Sequence, residues 1–191
     1  MSQVAAIEPL RPLPEHGRLH LVTANDGTVL TVLDVAPPQA HTTVQIVHGF
    51  TGSKEDFWDV AGLLGQRGYR VIAHDHRGQC QSGHAHPATY TLAQLARDTL
   101  VVADVLDADR PHLLGHSFGG LVAREAVLVD STRWSSLTMF CSGPAAIGPF
   151  AADLTRIIDI LSHTTMPAAW DWFLMHADEP VPITADPNPQ S

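Results

Sequence analysis

The chain has 191 residues, 20 acidic and 11 basic side chains and a formal net charge of −9, which at about 150 residues per domain predicts one domain with at most an appendage. Hydrophobic residues at 45% and charged residues at 16% supply a buried core and exclude a disordered chain, while the acidic balance without a Lys/Arg cluster excludes a nucleic-acid or anionic-membrane surface as partner. Two cysteines, Cys80 and Cys141, exclude a disulfide scaffold, and no apolar run reaches the ~18 residues of a spanning helix. Met1 to Pro14 carries three prolines and no basic-then-apolar pattern, so the expectation is a cytoplasmic protein without a signal peptide.

The first fourteen residues read as a lead-in. Arg18–Thr23 and Thr28–Leu33 are β-rich runs flanking Asn25-Asp26-Gly27, a hairpin signal. The rhythm then changes. Thr43–Val47 predicts a strand running into His48-Gly49. Asp56–Arg67 predicts a helix with Phe57, Val60, Ala61 and Leu64 on its buried face, stopped at Gly68. Val71–Ala73 is the next strand. Thr91 is placed to cap a helix running to about Asp107, with Leu92, Leu95, Thr99, Val102 and Leu106 at helical spacing. His112–Leu114 predicts a short strand, Phe118–Asp130 a helix and Leu137–Phe140 a sixth strand. Strands alternating with helices of about ten to fifteen residues mean βαβ units and a parallel sheet. After Gly143 the pattern becomes an amphipathic helix (Leu154, Ile157, Ile158, Leu161) followed by an aromatic cluster around Trp170 and Trp172, and then a proline-rich tail.

Gly115-His116-Ser117-Phe118-Gly119 matches G-x-S-x-G between an apolar strand and a helix, the setting of a nucleophile elbow. A serine on so sharp a turn needs strained backbone angles, and flanking glycines remove side chains that would collide with neighbouring backbone. The hydroxyl then stands at the carboxyl edge of the sheet, where the helix points its first N–H groups.

Two further loops agree: His48-Gly49-Phe50 after one strand, and Asp75-His76-Arg77-Gly78-Gln79-Cys80-Gln81-Ser82 after the next. Over residues 18–145 the three together resemble the α/β-hydrolase superfamily, in particular its lipase, esterase and haloperoxidase-like serine hydrolases. The resemblance implies an α/β fold: a mostly parallel sheet with an antiparallel N-terminal hairpin, helices on both faces and a helical cap. It divides the chain into 1–145, the N-terminal part of the hydrolase core, and 146–191, a partial cap and tail. It makes Ser117 the nucleophile, with the backbone N–H groups of Phe50 and Phe118 as the oxyanion hole. Cys80 stands where the family has glycine, so a positive φ there would strain the loop.

A serine hydroxyl needs a base oriented by a carboxylate. In the family these follow the serine, on loops after later strands. Here only His163 and His176 follow Ser117, both in the helical segment, and Cys141-Ser142-Gly143-Pro144 occupies the turn where an acid could stand. Asp153, Asp159 and Asp171 read as polar helix faces. The family has eight strands and this chain six, so the sequence is expected to be the N-terminal part of a hydrolase lacking its catalytic acid and histidine. The expected activity of the whole is hydrolysis of an ester or related acyl bond through a Ser117 acyl-enzyme, on a small hydrophobic substrate, with no metal or organic cofactor implied. The alternatives are a non-catalytic ligand-binding relative and a cofactor-free perhydrolase or acyltransferase. His74-x-His76 and His84-x-His86 lack further ligands at metal spacing and read as loop polarity. His48 and His116 are expected to hydrogen-bond structurally, and Asp75 and Arg77 to pin their loop by a salt bridge.

Overall fold

The computed structural model describes residues 7–143 and His163, which is helical. The chain divides into two units, Met1–Pro144 and Ala145–Ser191, and every described residue except His163 belongs to the first. The expected cap, with Leu154, Ile157, Ile158, Leu161, Trp170, Trp172, the three aspartates and His176, lies outside the described residues.

Six strands form one sheet: β1 (Gly17–Thr23), β2 (Val29–Val35), β3 (Thr42–Val47), β4 (Tyr69–His74), β5 (His112–His116) and β6 (Ser136–Phe140). Their order is β1-β2-β4-β3-β5-β6. The Asn25-Asp26-Gly27 turn joins β1 and β2 as an antiparallel hairpin, Gly27 taking a φ of 86° that a side chain would resist. β2 meets β4 antiparallel, and every later pairing is parallel. The period-2 alternation of the strands sorts the core into two layers. Val32, Val47, Ile72 and Leu113 point to one face and pack on Ala96 and Val102 of α2 (Leu92–Val105) and on Val122 and Ala126 of α3 (Phe118–Val129). Leu33, Ile46, Val71 and Ala73 point to the other and pack on Trp58 and Ala61 of α1 (Trp58–Gly65). Helices therefore cover both faces, as the resemblance implies.

Thr91 caps α2 as expected, its hydroxyl accepting the Gln94 N–H at 3.2 Å. The helix over Asp56–Arg67 is corrected. A 3₁₀ turn takes Lys54–Phe57 and α1 begins only at Trp58. The tighter turn rotates the buried stripe, so Trp58 enters the core while Val60 is exposed. The Trp58 indole N–H donates to Pro12 O at 2.8 Å, and Arg11 lies over its ring and pairs with Asp59. Arg11 and Pro12 of the proline-bearing lead-in are thereby stapled to α1. Among the described residues no helix is long and apolar enough to cross a membrane.

Candidate active site

Ser117 occupies the single-residue junction between β5 and α3 with φ 52° and ψ −121°. A non-glycine residue there stores strain of about 1–3 kcal/mol, and the surroundings must fix it. They do so through hydrogen bonds on both sides: the Ser117 N–H donates to Phe140 O at the end of β6, and its carbonyl accepts the Gly120 N–H, each at 2.9 Å. The glycines are required by contact. A Cβ on Gly119 would fall on the carbonyl oxygens of Val47 and His48, and one on Gly115 would fall on the backbone of Gly119 and Gly120. α3 is thus drawn against the end of β3, and the Ser117 side chain stays exposed.

The loop after β3 lies against this turn. A Cβ on Gly49 would sit 3.4 Å from the Ser117 Cβ. Phe50 and Phe118 follow on the two sides, their rings edge to face with centroids 5.8 Å apart. Neither backbone N–H has an acceptor among the described residues: Phe50 lies outside any ladder, and Phe118 opens a helix whose first N–H groups have no intrahelical partner. The three residues expected to act together are therefore adjacent.

Two buried histidines brace the loop from below. His48 Nδ1 bonds Gly49 O at 2.8 Å, and His48 Nε2 accepts the His76 N–H at 3.0 Å. His76 Nε2 bonds His48 O at 3.2 Å. His48 is therefore structural, as expected. The reading of His74 and His76 as loop polarity is corrected. Both are buried, and neither ring nitrogen of His74 has a hydrogen-bond partner among the described residues. Burial, with His48 nearby, pushes the His74 pKa down to about 3, so it is a neutral core residue at the end of β4. His84 and His86 do remain exposed.

The loop after β4 is pinned by ion pairs, but not between Asp75 and Arg77. Asp75 accepts the Lys54 N–H at 2.8 Å, the Lys54 ammonium at 2.9 Å and the Gln81 N–H at 3.2 Å. Burial alone would lower the Lys54 pKa, yet the hydrogen bonds its ammonium donates to Glu55 and Asp75 leave it raised. Arg77 forks onto Asp98 with two bonds of 2.7 Å and reaches Asp26 with a third of 2.7 Å. Glu55, Asp75 and Cys80 form the one grouping of three metal-capable residues among the described residues, but the Lys54 ammonium sits on both carboxylates, at 2.7 and 2.9 Å. That grouping holds a cation of the protein's own. Cys80 has a φ of 46°, the strained geometry anticipated for it. Partial desolvation and the Asp75 and Glu55 carboxylates push its thiol up to about 11, which leaves it protonated and unreactive near neutrality.

Sequence reasoning missed Lys54, Asp26 and Asp98 as the groups that hold these loops. They lie 21 to 51 residues from their partners in the chain, so no local pattern marks them. Within residues 7–143 no side chain hydrogen-bonds the Ser117 hydroxyl, and the turn after β6 carries Cys141 and Ser142 rather than an acid.

The sequence model of the alpha/beta hydrolase fold family matches residues 42–161, which include all three loops. The chain belongs to this family. It is 36% identical over 106 residues to a protein named as a carbamate hydrolase, RutD of Variovorax paradoxus strain S110, a match covering 56% of this chain and 40% of that one. It is 42% identical over 103 residues to a non-heme haloperoxidase of Rhodococcus erythropolis, covering 52% and 35%. Among solved structures, a hydrolase from Pseudomonas aeruginosa superposes with a TM-score of 0.70 at 26% identity, covering 87% of this chain and 63% of that one. This α/β hydrolase chain thus spans 30% to 43% of the length of the curated relatives it matches.

Proposed function

We propose that Ser117 is the nucleophile of a hydrolase that cleaves an ester or related acyl bond, carbamates included, through an acyl-enzyme. The observation that carries this reading is the exposed Ser117 at φ 52° and ψ −121°, cleared by Gly115 and Gly119 and flanked by the uncommitted N–H groups of Phe50 and Phe118. Oγ attacks the acyl carbon and gives its proton to a base. The oxygen that gains charge accepts from the two N–H groups, and the leaving group departs with the proton. Water then releases the acid and restores the hydroxyl. The cycle needs no metal or organic cofactor. Its base and the carboxylate that orients it come from outside residues 7–143.

Aromatic side chains support a small apolar substrate. Phe50 and Phe118 flank the turn, and His116 packs against Phe57 at 6.2 Å and Phe140 at 5.6 Å. Of the charges on the neighbouring loops, Lys54, Asp75 and Arg77 are paired inward. A perhydrolase outcome, in which peroxide replaces water at the acyl-enzyme, is favoured by the haloperoxidase relative and shares every group named here. The exposed free thiols of Cys80 and Cys141 fit a reducing, cytoplasmic setting.

The test is a fluorophosphonate probe read by peptide mass spectrometry. The expected result is an adduct on Ser117 that disappears in Ser117→Ala. Equal labelling of both proteins, or of neither even when the residues that supply the base are present, would leave a ligand-binding scaffold as the better description.

A further inference from the structure

The peptide group between Gly49 and Phe50 is held from behind. A trans peptide directs its C=O and N–H to opposite sides of one plane, so whatever fixes the Gly49 oxygen also aims the Phe50 N–H. That oxygen has two partners, the His48 Nδ1 at 2.8 Å and the Gly52 N–H at 3.1 Å. The tautomer of His48 follows from what each ring nitrogen meets. Nε2 faces the backbone N–H of His76 at 3.0 Å, and an amide can only donate, so Nε2 is bare. Nδ1 faces a carbonyl, which can only accept, so Nδ1 carries the proton.

We propose that His48, as the neutral Nδ1–H imidazole, is the positioning residue of the oxyanion site: it aims and polarises the Gly49–Phe50 amide so that the Phe50 N–H serves the Ser117 turn. This rests on Ser117 being the nucleophile. The relay runs from the His76 N–H to His48 Nε2, and from His48 Nδ1–H to the Gly49 carbonyl, leaving the Phe50 N–H as its open end. Each bond strengthens the next, by about 10–30% in condensed phase. The ring is 1% exposed and lies 4.1 Å from that of His76. Its surroundings keep it neutral. Burial lowers its pKa from the ordinary value and outweighs the hydrogen bond to Gly49 and the carboxylates of Asp75, Asp56 and Glu55, which raise it. Lys54 is taken up by Asp75 and Glu55, and His74 and His76 are themselves neutral.

Three substitutions separate aiming from bracing. His48→Asn keeps an N–H where Nδ1 stands and loses the acceptor for His76. His48→Gln carries its amide to the Nε2 position and loses the donor to Gly49. His48→Phe keeps the ring and neither bond. Removing an oxyanion donor outright costs on the order of 10²–10³ in rate, so the expected loss of Ser117 phosphonylation is about tenfold or more in His48→Gln and His48→Phe, and under about threefold in His48→Asn. Melting temperature is expected to follow the other order for the two amides, with His48→Asn below His48→Gln. Rates that simply track stability overturn the proposal. Long-range ¹H–¹⁵N spectra of the wild-type chain decide independently of any chemistry. A protonated Nδ1 with a Phe50 amide shift that moves in His48→Gln but little in His48→Asn supports it, and a protonated Nε2 or an unmoved Phe50 amide overturns it. If wild-type protein labels no faster than Ser117→Ala even with the residues that supply the base present, the nucleophile assignment fails, and the spectra still decide the role of His48.

Discussion

Of the six described non-glycine residues at positive φ, Ser117 and Cys80 lie on the loops of the candidate site, and the proposed function gives a chemical reason for the first alone. Ser117 at φ 52° presents a hydroxyl to the edge of the sheet. Cys80 at φ 46° presents a protonated thiol 3.6 Å from a Glu55 oxygen, a weak contact. The left-handed conformation costs a non-glycine residue about 1–2 kcal/mol, partly offset by the freedom a glycine loses on folding. Cys80→Gly is therefore expected to raise stability by about 0.5–1 kcal/mol, and Cys80→Ala, which keeps its Cβ, to leave it unchanged. Urea midpoints of the three proteins check this. A Cys80→Gly midpoint below wild type would mean that the Sγ contact outweighs the strain.

At the scale of elements, Arg77 joins three pieces of chain that are remote in sequence: the hairpin turn through Asp26, its own loop, and α2 through Asp98. The guanidinium and Asp98 are both buried. Taking one member from such a pair leaves a charge without water or partner, which costs about 3–5 kcal/mol. Asp98→Ala is expected to approach that loss, less what Asp26 retains, while the double change Arg77→Met, Asp98→Leu is expected to cost less than the single one. Equal losses would mean that packing rather than charge dominates. This clamp also marks where reading the sequence reached its limit. Strands, helices and the glycine-flanked serine were legible because periodicity, the Thr91 cap and G-x-S-x-G act over a few neighbouring residues. The burial of Trp58 in place of Val60 was not, because a 3₁₀ turn shifts the helical phase without a compositional sign. Nor was the burial of His74, since a histidine closing a strand looks the same whether solvent or a second imidazole lies beyond it.

For the described unit as a whole, the notable liability is acid. His48, His74 and His76 are all held neutral, their pKa values lowered chiefly by burial. The unfolded chain takes up protons on these groups below about 6.5, whereas the folded protein refuses them, so stability is complete above that value and falls as pH drops toward the folded-state pKa, about 3 for His74. Each such histidine removes up to about 1.4 kcal/mol per pH unit in that window. Asp26, whose carboxyl is depressed chiefly by its hydrogen bond from Arg77, adds to the loss only once pH falls through the carboxylate range. Urea midpoints are expected to fall steeply between pH 6.5 and 5, and His74→Leu to flatten part of that slope. A flat profile would mean that the imidazoles are charged in the folded state. The strand order has a kinetic counterpart. Because β3 lies between β4 and β5 and β2 borders β4, the hairpin lacks its neighbour until residue 74 has been made, and β3 lacks its second until residue 116. Distant pairings of this kind are slow to close. The turn that carries the hydroxyl belongs to the last of these arrivals, so on the proposed reading of Ser117 reactivity toward an acyl probe switches on late during synthesis, when most of these strands have already been made.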